Sequence, residues 1–231
     1  MNHKFYNKSE KEQFRIQAII ALAALIVVLM SLLISWLLNF YLITILIIPV
    51  LLSVIAPFFD VPAMKKRGKL RYHSPLFVSQ LKQNEIIIHG GTLFDYVFAI
   101  DHKLNGPQRT QYIIQQYLQG LLHLIELCEK ENRTNLKVRG TSYIINERTA
   151  QRMGFKVVQT DGLQQLILIF NYVNISIANS IAKGKPAFPN LKHTRSFEAN
   201  VADLIRHKEQ IGILAQRLEN SAANVENETT V

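Results

Sequence analysis

The run IQAIIALAALIVVLMSLLISWLLNFYLITILIIPVLLSVIAPFF, residues 16–59, decides the fold of this 231-residue chain. It holds 44 residues without a charged side chain and is bounded by Arg15 and Asp60. One helical crossing of a bilayer needs roughly 20 apolar residues, so the run is long enough for two crossings. The stretch therefore predicts a transmembrane hairpin over residues 16–59.

The hairpin has a natural break near its middle. Asn39 suits a tight turn, and Trp36 and Tyr41 suit the aromatic belt at a membrane interface. We therefore predict helices over residues 16–38 and 41–57. A proline inside the second helix is tolerated in a membrane, because neighbouring groups can bond to the carbonyl that it frees.

Two other interpretations of the uncharged run are a cleavable signal peptide and a buried hairpin of a soluble protein. The run is far longer than the apolar part of a signal peptide, and no small-residue cleavage site follows it. A soluble core of this size does not need so long a stretch without charge. The transmembrane hairpin is therefore the preferred interpretation.

Lysine and arginine flank the hairpin on both sides. The N-terminal segment 1–15 and the juxtamembrane linker 60–75 are both basic, whereas the turn between the helices has no charge. Because Lys and Arg favour the cytoplasmic side, the pattern predicts a multi-pass protein of the cell (inner) membrane with both termini in the cytoplasm. The flanking basic residues are Lys4, Lys8, Lys11 and Arg15 before the hairpin, and Lys65, Lys66, Arg67, Lys69 and Arg71 after it.

The basic cluster after the hairpin also allows two interpretations. It fits a membrane border, where Lys and Arg meet anionic lipid headgroups. A nucleic-acid patch is the other interpretation, but no aromatic residue interleaves with residues 64–71, and no nucleic-acid-binding motif occurs elsewhere. We therefore expect the lipid bilayer as a partner and no nucleic acid.

Composition narrows the function classes further. The formal net charge is +9, hydrophobic residues make up 48% and charged residues 19%, which excludes a disordered chain of low hydrophobicity. Cys128 is the single cysteine, so an intramolecular disulfide framework and a cysteine-rich metal site are excluded. The seven histidines show no spacing typical of metal ligands, and we expect no metal.

After the hairpin, segments typical of strands and of helices follow one another. Their order, β-β-β-α-β-α-β-α over residues 76–190, is typical of an α+β (mixed α/β) domain, which we expect to fold without the hairpin. Gly90 and Gly91 predict a hairpin turn between the second and third strands. The predicted strands are residues 76–81, 85–89, 92–101, 136–145 and 155–160, and the predicted helices are residues 108–131, 146–153 and 162–182.

Residues 162–182 have no charge and allow a further interpretation as a third membrane span. The segment contains seven Gln, Asn and Ser side chains, which are costly to bury in lipid. A span would also carry Lys183 and Lys185 outside, against the preference of basic residues for the cytoplasm. We therefore prefer a helix packed on the sheet, with docking on the membrane surface as the other arrangement.

The C-terminal segment, residues 191–219, predicts one further helix over residues 196–219. Four of its apolar residues are seven apart, which is typical of a coiled coil. This seven-residue spacing allows two interpretations. The helix either binds a protein partner or a second copy of the chain as a homo-oligomer, or it packs on its own domain. The polar tail, residues 220–231, is expected to be disordered. The four residues are Phe197, Leu204, Ile211 and Leu218.

Two glycine-bearing runs concentrate the side chains that can carry chemistry. His89 and Asp95 flank two glycines, and across a tight hairpin His89 can act as a base that Asp95 orients. Arg139 precedes a glycine inside a strand, where glycine often marks the close approach of a ligand, and it can bind an anionic group. The catalytic candidates are therefore His89, Asp95 and Arg139. The alternative is that these side chains only form hydrogen bonds at a turn and a bulge.

A family resemblance rests on Asn146, Ala150, Gly154 and Phe155, which lie between two predicted strands. Together with the preceding helix and strands, they make residues 85–160 similar to the core of GNAT-type N-acyltransferases. Members of that family bind the pyrophosphate of acyl-CoA at a glycine-bearing loop before the long helix. The resemblance implies acyltransferase-like chemistry with acyl-CoA as a cofactor, and apart from it we expect no cofactor. The corresponding loop here is residues 105–110.

The sequence thus leaves two functions open. The hairpin tethers either an interaction or accessory module or an acyltransferase-like enzyme. A pocket that brings the three candidates together favours the enzyme. A sheet without a concave site and an exposed apolar helix face favour the interaction module. The interaction module is the preferred hypothesis, because no catalytic motif in the sequence is specific.

Overall fold

Two long helices form the N-terminal part of the computed structural model, which describes residues 3–142 and 144–228. α1 (Glu10–Leu37) and α2 (Leu42–Lys66) are both long and apolar enough to span a membrane. Asn39 between them has a left-handed backbone with φ 51°, which asparagine adopts more readily than most residues. The two predicted helices and the turn at Asn39 are confirmed.

α2 is longer than predicted. It continues past Pro57 and Pro62 to its end at Lys66, and β1 (Arg71–Ser74) follows. Regular structure therefore takes up much of the predicted linker over residues 60–75. The sequence predicted an end at Pro57 because proline lacks the N–H that a helix interior needs.

A side chain from α1 compensates for one of these prolines. Pro62 leaves the carbonyl of Phe58, four residues earlier, without its helical donor. The side-chain amide of Gln17 donates to that carbonyl at 2.9 Å. The bond also aligns the two helices at the ends that adjoin the rest of the protein.

The contact between α1 and α2 uses small and hydroxyl-bearing side chains. Ala24, Ser31 and Ser35 are buried, and they lie seven and four residues apart on one face of α1. The hydroxyls of Ser35 and Thr44 are 2.7 Å apart, and Thr44 also donates to the carbonyl of Ser31 at 2.9 Å. Small residues let membrane helices approach closely, and hydrogen bonds between the helices add to their pairing. The hairpin therefore has a defined interface.

A six-stranded mixed sheet forms the centre of the C-terminal part and confirms the α+β class. Its strands after β1 are β2 (Phe77–Lys82), β3 (Glu85–Gly90), β4 (Lys137–Ser142), β5 (Lys156–Val158) and β6 (Arg195–Asn200). The strand order is β1-β2-β3-β4-β6-β5. β3 and β4 are parallel, and the other described pairs are antiparallel.

Helices cover one face of this sheet. They are α4 (Gly106–Lys130), α5 (Glu147–Arg152), α8 (Val201–Arg206) and α9 (Lys208–Glu228). Apolar residues that alternate along the strands pack against these helices, since every second side chain of a strand points to the same face. Cys128 lies in the same core, where burial raises the pKa of its thiol. The strand residues of the core include Phe77, Ile86, Val138, Phe197 and Ala199.

Three further helices follow, of which the first and third contact α2 and the second contacts the third. They are α3 (Leu93–Ala99), α6 (Gly162–Phe170) and α7 (Tyr172–Lys183). The predicted single helix over residues 162–182 is thus two helices, bent by 67°. If the two helices are counted as one span, the bent pair is also long and apolar enough to cross a membrane, by length and composition alone. A short 3-10 helix, Leu191–His193, precedes β6.

The predicted strand over residues 92–101 is wrong, because α3 occupies that position. The carboxylate of Asp95 accepts hydrogen bonds from the N–H and the hydroxyl of Thr92. This capping arrangement satisfies free donors at the start of a helix and outweighs the strand propensity of the aromatic residues that follow. Gly90 and Gly91 therefore lead into a helix, and the hairpin turn predicted there is wrong. The turn of the β2–β3 hairpin is at Gln83, whose φ is 51°, between the first two predicted strands.

The predicted helix over residues 196–219 is also wrong at its start. Its first residues form β6, and α8 and α9 follow, with α9 ending at Glu228 instead of Glu219. The expected disorder of residues 220–231 stays a prediction, and residues 229–231 lie outside the described part. Leu204 and Ile211 of the predicted heptad row are fully buried in the protein's own core.

One end of the sheet lies next to the hairpin. Leu76, just before β2, is buried in a cluster against which Val54 and Phe58 of α2 pack. The strand register places the end of β3 beside the start of β2, and the ends of β4 and β5 beside the start of β6. Because β3 and β4 are parallel, all these strand ends lie on the same side. We call this side the hairpin end of the sheet.

Candidate functional site

His89 and Arg139 lie on the same face of the sheet, on neighbouring strands. Ile87 of β3 is paired with Arg139 of β4. Side chains two residues apart in a strand share a face, so His89 lies on that face, one step nearer the hairpin end. His89 is exposed and Arg139 is half-buried. Two of the three predicted site residues are therefore on one surface.

This surface is the face opposite the one that α4, α5, α8 and α9 cover, and we call it the open face. Its side chains at Lys82, the end of β2, and over β3, β4, β5 and β6 are mostly polar and, apart from Ser196, are exposed or half-buried. Cationic side chains outnumber acidic ones there, four to two. The Lys137 ammonium and the Glu198 carboxylate form an ion pair at 2.9 Å. The open face includes Lys82, Glu85, Ile87, His89, Lys137, Arg139, Lys156 and Glu198.

The surroundings of His89 favour its neutral form. Desolvation by the surrounding groups, and secondly the positive charge of Lys82, lowers the pKa of His89 below its ordinary value. A neutral imidazole is the form that can accept a proton as a general base. The site therefore contains a base and, on the next strand, a cation that can hold an anionic group.

Asp95 lies elsewhere, fully buried at the start of α3. Its carboxylate accepts hydrogen bonds from the Tyr72 hydroxyl at 2.6 Å and from the Thr92 N–H at 2.7 Å. The imidazole Nε2 of His3 is 3.3 Å from the same carboxylate. These described partners of Asp95 do not include His89. The structure thus places Asp95 where it joins β1, α3 and the N-terminal segment, and its predicted role in orienting His89 gains no support.

The N-terminal segment, predicted only as a basic flank, packs on the domain. His3 is 0% and Phe5 1% exposed, and the Phe5 ring contacts the Phe94 ring edge to face, with centres 4.9 Å apart. The segment that makes these contacts is too short for any periodic signal. The aromatic pair Phe5-Tyr6 within a basic stretch was the one sequence feature that could have indicated it.

Two tyrosines extend this cluster to α2. The hydroxyls of Tyr6 and Tyr72 are 3.4 Å apart, and the Lys65 ammonium lies 3.4 Å from the centre of the Tyr6 ring, a cation–π contact. Burial raises the pKa of Tyr6 to about 12, and burial followed by the charge of Asp95 raises the pKa of Tyr72. Both phenols therefore stay protonated and donate hydrogen bonds.

A chain of three hydroxyls lies at the hairpin end of the open face. The Thr141 and Ser196 hydroxyls are 3.0 Å apart, and Ser196 donates to Thr160 at 3.2 Å. Ser196 is buried, whereas the two threonines are half-buried. Sequence reasoning missed this group because its members come from three separate segments of the chain. The chain adds donors and acceptors beside the strand positions of His89 and Arg139.

Two shallow clefts open on the described surface away from His89, Asp95 and Arg139. One, of about 330 Å³, lies at the β2–β3 turn and is lined by Gln83, Asn84 and Arg133 among others. The other, of about 570 Å³, lies between α4, the end of α7 and α9. Neither cleft gathers the three candidates.

The loop that the acyltransferase resemblance assigns to acyl-CoA is engaged in capping and packing. Asn105 caps α4 through its side-chain oxygen. A Cβ at Gly106 would collide with the carbonyl of Lys183, which shows how closely the end of α7 approaches this loop. The Arg109 guanidinium donates to three backbone carbonyls, those of Leu104, His102 and Ile181. A role of this loop in binding acyl-CoA stays a prediction.

Neither a metal cluster nor a known relative assigns a chemistry to this site. Within residues 3–142 and 144–228, no group of three or more His, Cys, Asp or Glu side chains is arranged to hold a metal ion. Comparison with models of protein families, with curated proteins and with solved structures finds no match for this chain.

Proposed function

We propose that the protein is a two-span protein of the cell (inner) membrane with both termini in the cytoplasm, and that its hairpin holds the α+β domain at the membrane as an interaction module. The apolar lengths of α1 and α2 support the two spans. The basic residues on both flanks support the orientation, because Lys and Arg favour the cytoplasmic side.

The open face carries this proposal. Four strands present polar and charged side chains on one side, while helices cover the other side completely enough to bury its apolar residues. The excess of cations fits a protein partner with an acidic surface, because complementary charge steers association and fixes its register. The hairpin also favours association, since it confines the domain and a membrane partner to the same membrane surface and so raises their effective concentration.

A membrane-tethered enzyme with acyltransferase-like chemistry is the alternative proposal. It draws on one observation: the neutral His89 and the Arg139 guanidinium share the open face, near the Thr141–Ser196–Thr160 hydroxyls. In that case His89 would act as the base and Arg139 would bind an anionic substrate group, with acyl-CoA as the cofactor.

Site-specific photo-crosslinking in intact cells tests the interaction proposal. A photoreactive amino acid is placed at exposed positions of the open face, Lys82 and Lys156, and at exposed positions of the covering helices, Lys130 and Arg217. We expect one discrete adduct from the open-face positions and none from the two control positions. Equal adducts from both sets, or none from either, would contradict the proposal.

A charge reversal sharpens this test. Arg139→Glu should weaken the adduct about tenfold, which corresponds to roughly 1.4 kcal/mol of lost binding free energy. Arg206→Glu changes the charge equally on the exposed surface of α8 and should leave the adduct unchanged. If His89→Ala and Arg139→Ala instead abolish complementation of a deletion strain while the adduct and thermal stability stay unchanged, the enzyme proposal is favoured.

A further inference from the structure

The α6–α7 pair presents apolar side chains that the rest of the described protein does not cover. No residue of α6 is buried, and Phe170 at its end is 73% exposed. Soluble proteins rarely expose so continuous an apolar surface to water. The exposed apolar residues are Leu163, Leu166, Ile167, Ile169, Phe170, Val173 and Ile177.

A specific hydrogen bond fixes the start of α7 against α2. Pro57 leaves the carbonyl of Ser53, four residues earlier, without its helical donor. The side-chain amide of Asn174 donates to that carbonyl at 2.8 Å and lies 3.2 Å from the Ser53 hydroxyl. α7 therefore packs directly on a helix that is apolar enough to span the membrane.

The contact lies below the charged border of the hairpin. The Gln17–Phe58 bond aligns α1 with α2 near Arg15 and Asp60, the charged residues that end the uncharged run. Ser53 is five residues before Phe58, or about 8 Å farther into the hairpin at 1.5 Å per residue. The junction of α6 and α7 is therefore at the level of the hydrocarbon on the side of the sheet.

Both ends of the pair are attached to the same domain. α6 begins just after Thr160, which accepts a hydrogen bond from Ser196 of the sheet. α7 ends at Lys183, whose carbonyl lies against Gly106 of α4. The two helices are bent by 67° at their junction, and with both ends in contact with the same domain this bend fits a path that enters and leaves on one side.

The distribution of polar residues agrees with this path. Asn174, Ser176 and Asn179 of α7 are buried against the protein, so these side chains do not face lipid. Asn179 donates to the carbonyl of Ala187 at 3.1 Å. Three of the seven polar side chains that argue against a third span thus belong to the protein-facing side of α7. Gln165 and Asn171 are exposed, and Asn171 donates its side-chain amide to the carbonyl of Ile167 at 2.8 Å.

We propose that α6 and α7 form a re-entrant element whose exposed apolar side chains insert among the acyl chains of the cytoplasmic leaflet. The inference rests on the two-span topology proposed above. Continuity with the hairpin identifies lipid as the occupant, because the Asn174–Ser53 bond holds the apolar surface beside a span and below its charged border. This third attachment keeps the hairpin end of the sheet at the level of the lipid headgroups.

Quenching of single tryptophans by brominated lipids tests the inference. The chain has one native tryptophan, so Trp36→Phe provides the background. Leu29→Trp in α1, Phe170→Trp and Ile169→Trp in α6, and Ile213→Trp in α9 all replace exposed apolar residues. Each full-length variant is reconstituted in phosphatidylcholine–phosphatidylglycerol vesicles with plain or brominated acyl chains.

We expect brominated chains to quench the Leu29→Trp, Phe170→Trp and Ile169→Trp variants at least twofold more than the Ile213→Trp variant. Quenching of Leu29→Trp without quenching of either α6 variant would overturn the re-entrant element and leave the hairpin intact. Loss of quenching in Leu29→Trp would instead overturn the two spans. Topology reporters fused after Asp60 and after Val231 should score on the same side, and opposite sides would mean a third span.

Discussion

His73 lies on β1 with its imidazole inside the protein. Its Nε2 is 2.7 Å from the Ser79 hydroxyl, and its Nδ1 has no hydrogen-bond partner among the described residues. Burial first, and then the charges of His123 and Arg71, lowers the pKa of His73 to about 4. A protonated ring would therefore be a charge without solvation or a counter-ion, so the folded protein holds this ring neutral.

This burial predicts a loss of stability in mild acid. Between pH 6.5, the ordinary value for histidine, and about pH 4, the unfolded chain binds a proton that the folded chain rejects. The contribution of His73 is therefore complete above pH 6.5 and falls by up to about 3 kcal/mol as the pH drops to 4. Denaturant unfolding of the full chain in lipid nanodiscs at pH 7 and pH 4.5 measures the difference.

The matched variant is His73→Gln, which keeps a polar side chain that does not titrate. Its unfolding free energy should fall less between pH 7 and pH 4.5 than that of the natural protein. His102→Gln, at an exposed position, should keep the natural pH dependence. Identical pH dependence in the natural protein and in His73→Gln would show that the buried imidazole does not carry the effect.

At the scale of elements, α2 contains two matched proline–amide arrangements. Asn174 bonds to the carbonyl that Pro57 frees, and Gln17 bonds to the carbonyl that Pro62 frees. Such hydrogen bonds in membrane proteins contribute about 0.6 kcal/mol on average and up to about 1.7 kcal/mol. Asn174→Ala should therefore lower the free energy of unfolding by about 1 kcal/mol.

Replacing the proline should remove the need for the amide, because an alanine N–H bonds to the freed carbonyl within the helix. In a Pro57→Ala background, Asn174→Ala should hardly change the free energy of unfolding. In a Pro62→Ala background, Asn174→Ala should lower it by the same amount as in the natural protein. Gln17→Ala should show the opposite dependence. A double-mutant cycle in nanodiscs measures both couplings. Equal costs in all backgrounds would contradict the role of the freed carbonyls.

Local patterns located most of the elements, and the two that were missed, β6 and α3, have different causes. The predicted helix over residues 108–131 matches α4 to within two residues at each end, and the predicted helix over residues 146–153 contains α5. β6 was missed because its pairing with β4 joins segments more than 50 residues apart, and its apolar residues also fit a helical spacing. α3 was missed because one capping interaction outweighed strand propensity.

In the candidate site, too, the sequence predicted strand positions but not contacts between distant segments. His89 and Arg139 could be placed on strands from sequence, and the register of β3 with β4 puts them on one face. The partners of Asp95 could not be foreseen, because His3 lies 92 residues away in the chain. A hydrogen bond of this kind depends on the tertiary fold and leaves no periodic trace in the sequence.

At the scale of the whole molecule, the hairpin and the domain share a hydrophobic core. Phe5 of the N-terminal segment, Val61 of α2 and Leu70 form one buried cluster with Val78 of the sheet and Phe94 of α3. That the domain folds without the hairpin stays a prediction, and this cluster argues against it. Without residues 1–71, the fragment would expose Val78 and Phe94 and leave the carboxylate of Asp95 without His3.

The shared core predicts that a single residue far from the sheet in sequence stabilises the entire protein. Phe5→Ala should lower the free energy of unfolding by about 3 kcal/mol, because it empties a site that is 1% exposed and borders three aromatic rings. Phe188→Ala removes the same atoms from a site that is 76% exposed and should change stability by less than about 0.5 kcal/mol. Denaturant unfolding of both full-length variants in nanodiscs provides the comparison.

A fragment of residues 72–231 should fail to unfold cooperatively, since it loses the same contacts together with Val61 and Leu70. Cooperative unfolding of that fragment, or equal stability of the two phenylalanine variants, would mean that the domain is independent of the N-terminal segment and α2.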